Sequence, residues 1–248
     1  MNEKIKKVSV LGMFAALAYV FVLVGRIPIS SVEFLKYDPK DIIVAICGFI
    51  MGPVSALIVT VITSFLEMLT ISTTGFIGLV MNIISTASFA CTAAFIYKKK
   101  KTLSGAVIGL IAGALSMTVL MIIWNYLITP IYMGYPREAV ADMLAPVFLP
   151  FNLIKSGLNA SFTMLLYKPV VTAMRKAHII SDTPVREKEI SASDGEIKES
   201  GEINVEKSGV SNEESRPYHL KINVWTVVIS LFIISICVLW VLAIKKII

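Results

Sequence analysis

Asn152 and Lys155 stand three residues apart in Pro150-Phe-Asn-Leu-Ile-Lys155, inside a stretch otherwise apolar enough to cross a membrane. Side chains at that spacing share one face of a helix. A charge at membrane depth has to point into the protein interior or a wet cavity and find a partner there, which makes such a residue a functional candidate by default. Three more strongly polar side chains, Glu67, Asn82 and Asn125, fall within other apolar runs. Amides supply donors and acceptors together and an ammonium supplies three donors. The set therefore suits recognition of a neutral, polar, ring-bearing molecule with carbonyl and hydroxyl groups.

Catalysis is poorly supplied. The two histidines, His178 and His219, fall outside the apolar runs, and neither a His-Glu-x-x-His zinc pair nor a Gly-x-x-x-x-Gly-Lys-Ser/Thr phosphate loop occurs. The chain is read as a non-enzyme without a cofactor or metal, and uphill movement of a ligand would draw on a partner or an ion gradient. Cys47, Cys91 and Cys237 all lie in apolar stretches with no metal-ligand spacing, so they are read as small packing residues and not as a disulfide framework.

The elements that must position these groups follow from composition. Of 248 residues, 56% are hydrophobic and only 16% charged, and the mean hydropathy is +0.79. That profile belongs to an all-α polytopic membrane protein. The net charge of +6 reflects Lys and Arg clustered beside apolar runs, where they set topology; no nucleic acid is implied. Six runs are legible: Val8 to Gly25, Asp41 to Phe49, Val54 to Thr70, Phe76 to Tyr97, Leu103 to Ile128, and Pro146 to Ala173. The second is too short to cross upright, and Gly52-Pro53 turns the chain after it. The first is too long for a signal peptide and lacks a small-residue cleavage site. Thr129-Pro130 is read as the break after the fifth run, followed by a loop.

An amino terminus in the cytoplasm puts Lys4, Lys6, Lys7, Lys98 to Lys101, Lys168, Arg175 and Lys176 inside, leaving Arg26, Lys36, Lys40 and Arg137 outside. The positive-inside rule favours that orientation, in the cell membrane. Glu67, Asn82, Asn125, Asn152 and Lys155 then all fall in the outer half. Structural hydrogen bonds between helices would not need a common depth, so a pocket open to the exterior is the economical account. An ion pair of Glu67 with Lys155 is one expectation; Asn82 as a bond between helices and Asn125 as part of an interfacial Trp-Asn-Tyr anchor remain open.

The first 176 residues form the substrate-binding domain in this reading. Residues 177–221 are rich in Ser, Gly, Glu and Lys, a composition expected of a disordered cytoplasmic linker. The final segment, 222–248, carries a seventh apolar run long enough to span.

Several of these pieces, in order, resemble the riboflavin-binding S components of energy-coupling factor transporters. They are Glu33-Phe-Leu-Lys-Tyr-Asp-Pro-Lys-Asp-Ile42, Gly52-Pro53, Asn82 with Ala87-Ser-Phe, Asn125-Tyr126, and Pro150-Phe-Asn-Leu-Ile-Lys155. The similarity covers about residues 5 to 176. It implies a six-helix bundle that binds riboflavin in an outward-facing pocket, capped by the first loop. It also implies association with a membrane coupling subunit and two cytoplasmic ATPases. The ligand contacts implied are Asn125, Asn152 and Lys155, and the lid would be Phe34, Leu35, Lys36, Tyr37 and Asp38. A small-residue patch at Gly12, Ala15 and Ala16 would meet the coupling subunit. Glu67 matches nothing in the family's pocket; it would neutralise Lys155 or repel phosphorylated flavins. Two other readings stay open from the residues: an S component or solo carrier for another vitamin such as a pterin or thiamine, and a nontransporting membrane anchor or assembly factor.

Overall fold

The computed structural model describes residues 3–28, 35–176, 227–228, 230–232 and 234–235. Phe34, the linker 177–221 and most of the seventh apolar run lie outside the described residues. Helices dominate: α1 (Glu3–Gly25), α2 (Lys40–Met51), α3 (Pro53–Thr70), α4 (Gly75–Lys99), α5 (Leu103–Met133), α6 (Arg137–Met143) and α7 (Leu149–Lys176). A π-helical segment, Leu144–Phe148, joins α6 to α7. The only strands among the described residues are β1 (Ile27–Pro28) and β2 (Lys36–Tyr37), antiparallel, with Ile27 opposite Tyr37 and Pro28 opposite Lys36. This small ribbon closes the loop between α1 and α2, and marks the lid end of the bundle.

Five of the described helical stretches are long and apolar enough to cross a bilayer. The sixth member of the bundle, α2, has 12 residues, about 18 Å of helix against a hydrocarbon core of about 30 Å. Most of it is enclosed by protein. Lys40 through Phe49 are all buried, packed among α1, α3, α4 and α7. A short helix is tolerated here because its backbone bonds are closed internally and its end turns within protein. Gly52 makes that turn at φ +95°, its N–H donating to the Gly48 carbonyl at 2.8 Å, and Pro53 opens α3 where a missing N–H costs nothing.

Large apolar side chains on the outside, such as Val24, Val54, Leu69 and Phe76, face where lipid would be. Inside, α4 and α5 approach through small residues. A Cβ on Gly113 would stand 2.5 Å from the Phe89 carbonyl oxygen, and one on Gly109 would stand 2.7 Å from that of Ala93. Close backbone approach through Gly and Ala is how membrane helices gain packing without a hydrophobic drive. A second apolar cluster at the lid end joins Leu35 and Tyr37 of the lid to Val140, Phe148, Phe151, Ile154 and Leu158, with Ile234 of the seventh apolar run packed against it.

Two sequence boundaries move. Thr129-Pro130 does not end the fifth helix, which continues to Met133 before Gly134 adopts φ +66°. Proline removes one rung of the ladder, a modest loss this close to the helix end. The expected loop after it holds α6, and the π segment Leu144–Phe148 contains Pro146 and ends two residues before Pro150, both of which lack the N–H donor of a regular helical ladder.

Candidate ligand-binding site

Four helices and the lid bring their polar side chains to one place. Along α7, Asn152, Lys155 and Asn159 fall on one face at helical spacing; along α4, Asn82, Ser85 and Thr86 do the same. Facing them are Asp38 from the lid, Lys40 and Asp41 from the start of α2, and Glu67 from α3. All of these are buried.

The charges sort into two connected groups. In the first, the Lys40 ammonium is in close contact with Glu67 Oε1, while Asn82 Nδ2 donates to Glu67 Oε2 at 3.1 Å. In the second, Lys155 Nζ lies between two carboxylates, 3.8 Å from Asp41 Oδ2 and 4.0 Å from Asp38 Oδ2. It donates to Ser85 Oγ at 3.4 Å. Asp41 accepts from Thr86 Oγ1 at 2.6 Å and from Asn159 Nδ2 at 2.9 Å. Asp38 is also 3.0 Å from Arg26 Nε, at an angle that makes this a charge contact and not a hydrogen bond. Three carboxylates, Asp38, Asp41 and Glu67, thus meet three cations, Arg26, Lys40 and Lys155. Buried ions persist only when paired in this way, because desolvation of each costs several kcal/mol.

Between the lid and this cluster is a cavity lined by Arg26, Leu35, Lys36, Asp38, Met81, Asn82, Ser85, Met121, Phe151, Asn152 and Lys155, with Thr73 and Thr74 at the α3–α4 connection. The lining combines the apolar side chains Leu35, Met81, Met121 and Phe151 with the donors Asn82, Ser85, Asn152 and Lys155. Its volume is about 20 Å³, room for about one water. Sites for drug-sized ligands run to about 300–1,000 Å³, so a vitamin-sized molecule enters only if the lid and the side chains below it move apart.

Of the residues singled out in the sequence, Asn152, Lys155, Asn82, Leu35 and Asp38 line this cavity. Asn152 also donates through Nδ2 to the Phe148 carbonyl at 2.7 Å. Tyr37 is buried in the lid-end cluster instead. Asn125 is buried one layer back: Nδ2 donates to the Met121 carbonyl at 2.7 Å and Oδ1 accepts from Thr129 Oγ1 at 3.0 Å. Thr129 in turn lines a recess between α4 and α5 that shares Thr74 and Met81 with the cavity. The expected pairing of Glu67 with Lys155 is overturned: Glu67 is taken by Lys40, and Lys155 by Asp38 and Asp41. Lys40, expected to face the exterior, is fully buried, because it begins α2 within the bundle and Glu67 compensates its charge. On α1, Gly12 and Ala16 are exposed while Ala15 packs into the core, so the small-residue patch is split between two faces.

Lys40, Asp41, Ser85, Thr86 and Asn159 were not recognised from the sequence. Lys40 read as the end of a polar loop, and Asp41 as the first residue of the short apolar run that follows. Asn159 carried a usable signal, four residues beyond Lys155 on the same helical face.

A family model described as the substrate-specific component of ECF transporters matches residues 6–167. The chain belongs to this family. It is 31% identical to the riboflavin transporter FmnP of Bacillus subtilis, over 71% of this chain and 99% of that protein. It is 29% identical to the riboflavin transporter RibU of Staphylococcus aureus, over 69% and 93% respectively. A solved structure described as the S component of a bacterial ECF transporter superimposes with a TM-score of 0.60 at 28% identity, covering 69% of this chain and 99% of that one. The S-component assignment makes the chain part of a membrane transporter and not an enzyme. It agrees with the all-α bundle of membrane-length helices. The family model's match ends at residue 167, before the linker and the seventh apolar run.

Proposed function

We propose that this chain is the riboflavin-capturing S component of an ATP-driven importer. The observation that carries the reading is the shared face of Asn152 and Lys155, opposite Asn82 and Ser85, on a cavity closed by the lid. Flavin carbonyls accept from the ammonium and amides, its apolar ring edge meets Met81, Met121 and Phe151, and Leu35 and Asp38 cover it from the lid. Glu67 and Asn125 support this surface from behind. Since Lys40 neutralises Glu67 and Glu67 does not line the cavity, the expected repulsion of phosphorylated flavins has no support here. The names of the Bacillus and Staphylococcus relatives support riboflavin over a pterin or thiamine, and over an anchoring role.

In the proposed cycle the amino terminus is cytoplasmic and the lid end faces out. Riboflavin enters, the lid closes, and the bundle reorients when a coupling subunit and two ATPases turn over. Gly12 and Ala16, exposed four residues apart with nothing within 4 Å of a Cβ at Gly12, offer close approach to that subunit. The test is purification in detergent with absorbance recorded between about 350 and 500 nm, where copurified flavin makes the sample yellow, followed by titration of flavin-free protein. Lys155→Ala or Asn152→Ala weakens binding more than tenfold, about 1.4 kcal/mol or more. Wild-type affinity in either variant refutes the assignment.

A further inference from the structure

Lys155 is only 4% exposed, yet its ammonium makes one hydrogen bond, to Ser85, and otherwise stands beside two carboxylates at distances too long for hydrogen bonding. Two of its three donors are therefore uncommitted, while its charge is compensated. The two carboxylates are not equivalent. Asp38 belongs to the lid, contacts Arg26, and lines the cavity that must widen for a ligand. Asp41 belongs to α2, does not line the cavity, is fully buried, and is held at both oxygens by hydrogen bonds from two other helices, Thr86 on α4 and Asn159 on α7.

We propose that Asp41 is a positioning residue for ligand recognition: fixed by Thr86 and Asn159, it holds the Lys155 ammonium at the cavity wall without consuming the donors that meet the ligand. A lid that lifts takes Asp38 with it, and Asp41 keeps the cation from being left alone in a low-dielectric interior, where an unpaired charge is costly. The 3.8 Å separation matters. A close Asp–Lys pair would saturate the donors and turn the ammonium inward, whereas this one leaves it available. This rests on the reading that Lys155 touches the ligand, and the experiment separates the two.

Riboflavin affinity of the full chain in detergent is measured for Asp41→Asn, Lys155→Met and the double variant, with the absorption band of bound flavin recorded in each. Asp41→Asn weakens binding about tenfold, Lys155→Met by at least as much, and the double variant matches Lys155→Met within about threefold. The flavin band, sensitive to a charge beside the ring carbonyls, moves in Asp41→Asn in the same sense as in Lys155→Met. A purely structural Asp41 gives losses that multiply in the double variant and an unmoved band; either result overturns the proposal. Wild-type affinity in Lys155→Met overturns both the proposal and the site reading, whereas wild-type affinity in Asp41→Asn alone overturns only the former. If Asp41→Asn does not fold, Asn159→Ala carries the same test: its loss of affinity is expected to vanish in the Lys155→Met background, and persistence of that loss refutes the assignment.

Discussion

Lys40→Met isolates a buried ion pair from the ligand. The side chain is fully enclosed, its ammonium touches Glu67, and it does not line the cavity. Methionine keeps most of the stem's volume and removes the charge. Glu67, also fully buried, is left with Asn82 as its remaining hydrogen-bond donor. Stranding one member of such a pair costs about 3–5 kcal/mol, which at about 2–4 °C per kcal/mol for a chain of this size lowers the melting temperature by about 6–20 °C. The Lys40→Met/Glu67→Met double variant removes both charges and should recover most of that loss, since an apolar replacement of a whole pair is often neutral. Lys155→Met should destabilise less, because its contacts are longer and both carboxylates keep other partners. Thermal unfolding of ligand-free protein in detergent, followed by tryptophan fluorescence, checks the order. A Lys40→Met variant within about 1 kcal/mol of wild type, or a double variant no better than the single, refutes the argument.

Other outcomes follow from the same geometry. Gly113→Ala puts a methyl 2.5 Å from the Phe89 carbonyl and should destabilise by about 1–3 kcal/mol through overpacking, whereas Gly12→Ala, with open space around it, should shift unfolding by less than about 0.5 kcal/mol; equal effects in the same melts would discredit the α4–α5 contact. Asp38→Asn weakens both the Arg26 and Lys155 contacts of the lid, so stopped-flow fluorescence should show faster riboflavin dissociation, and an unchanged off-rate would remove Asp38 from lid closure. A chain ending at Lys176 keeps every cavity-lining side chain and should bind riboflavin within about threefold of full-length protein by titration. A tenfold loss would make the carboxy-terminal segment part of the site.

Membrane helices were legible because their signal is long and redundant: about 20 apolar residues in succession admit few other readings. The binding face of α7 was legible because Asn152 and Lys155 interrupt such a run at helical spacing. The α2 contribution was not. Its nine-residue apolar core is short, so Lys40 and Asp41 fell at an ambiguous edge, and nothing local shows that their partners lie on α3, α4 and α7. The mistaken pairing of Glu67 with Lys155 has the same origin. Depth along a helix can be read from sequence, but which of several buried cations a carboxylate meets depends on how the helices are arranged around one another. Pro130 misled for a different reason, since a proline normally signals a break, whereas α5 continues one more turn past it.

The balance of three carboxylates against three cations has an electrical consequence. Any movement of Asp38, Asp41, Glu67, Arg26, Lys40 and Lys155 together, carrying an uncharged vitamin, transfers no net charge through the membrane field, whereas one unbalanced charge crossing it would add about 2.3 kcal/mol per 100 mV. The cluster therefore adds no net charge of its own to such a movement, and any sensitivity of uptake to voltage must come from charges outside it.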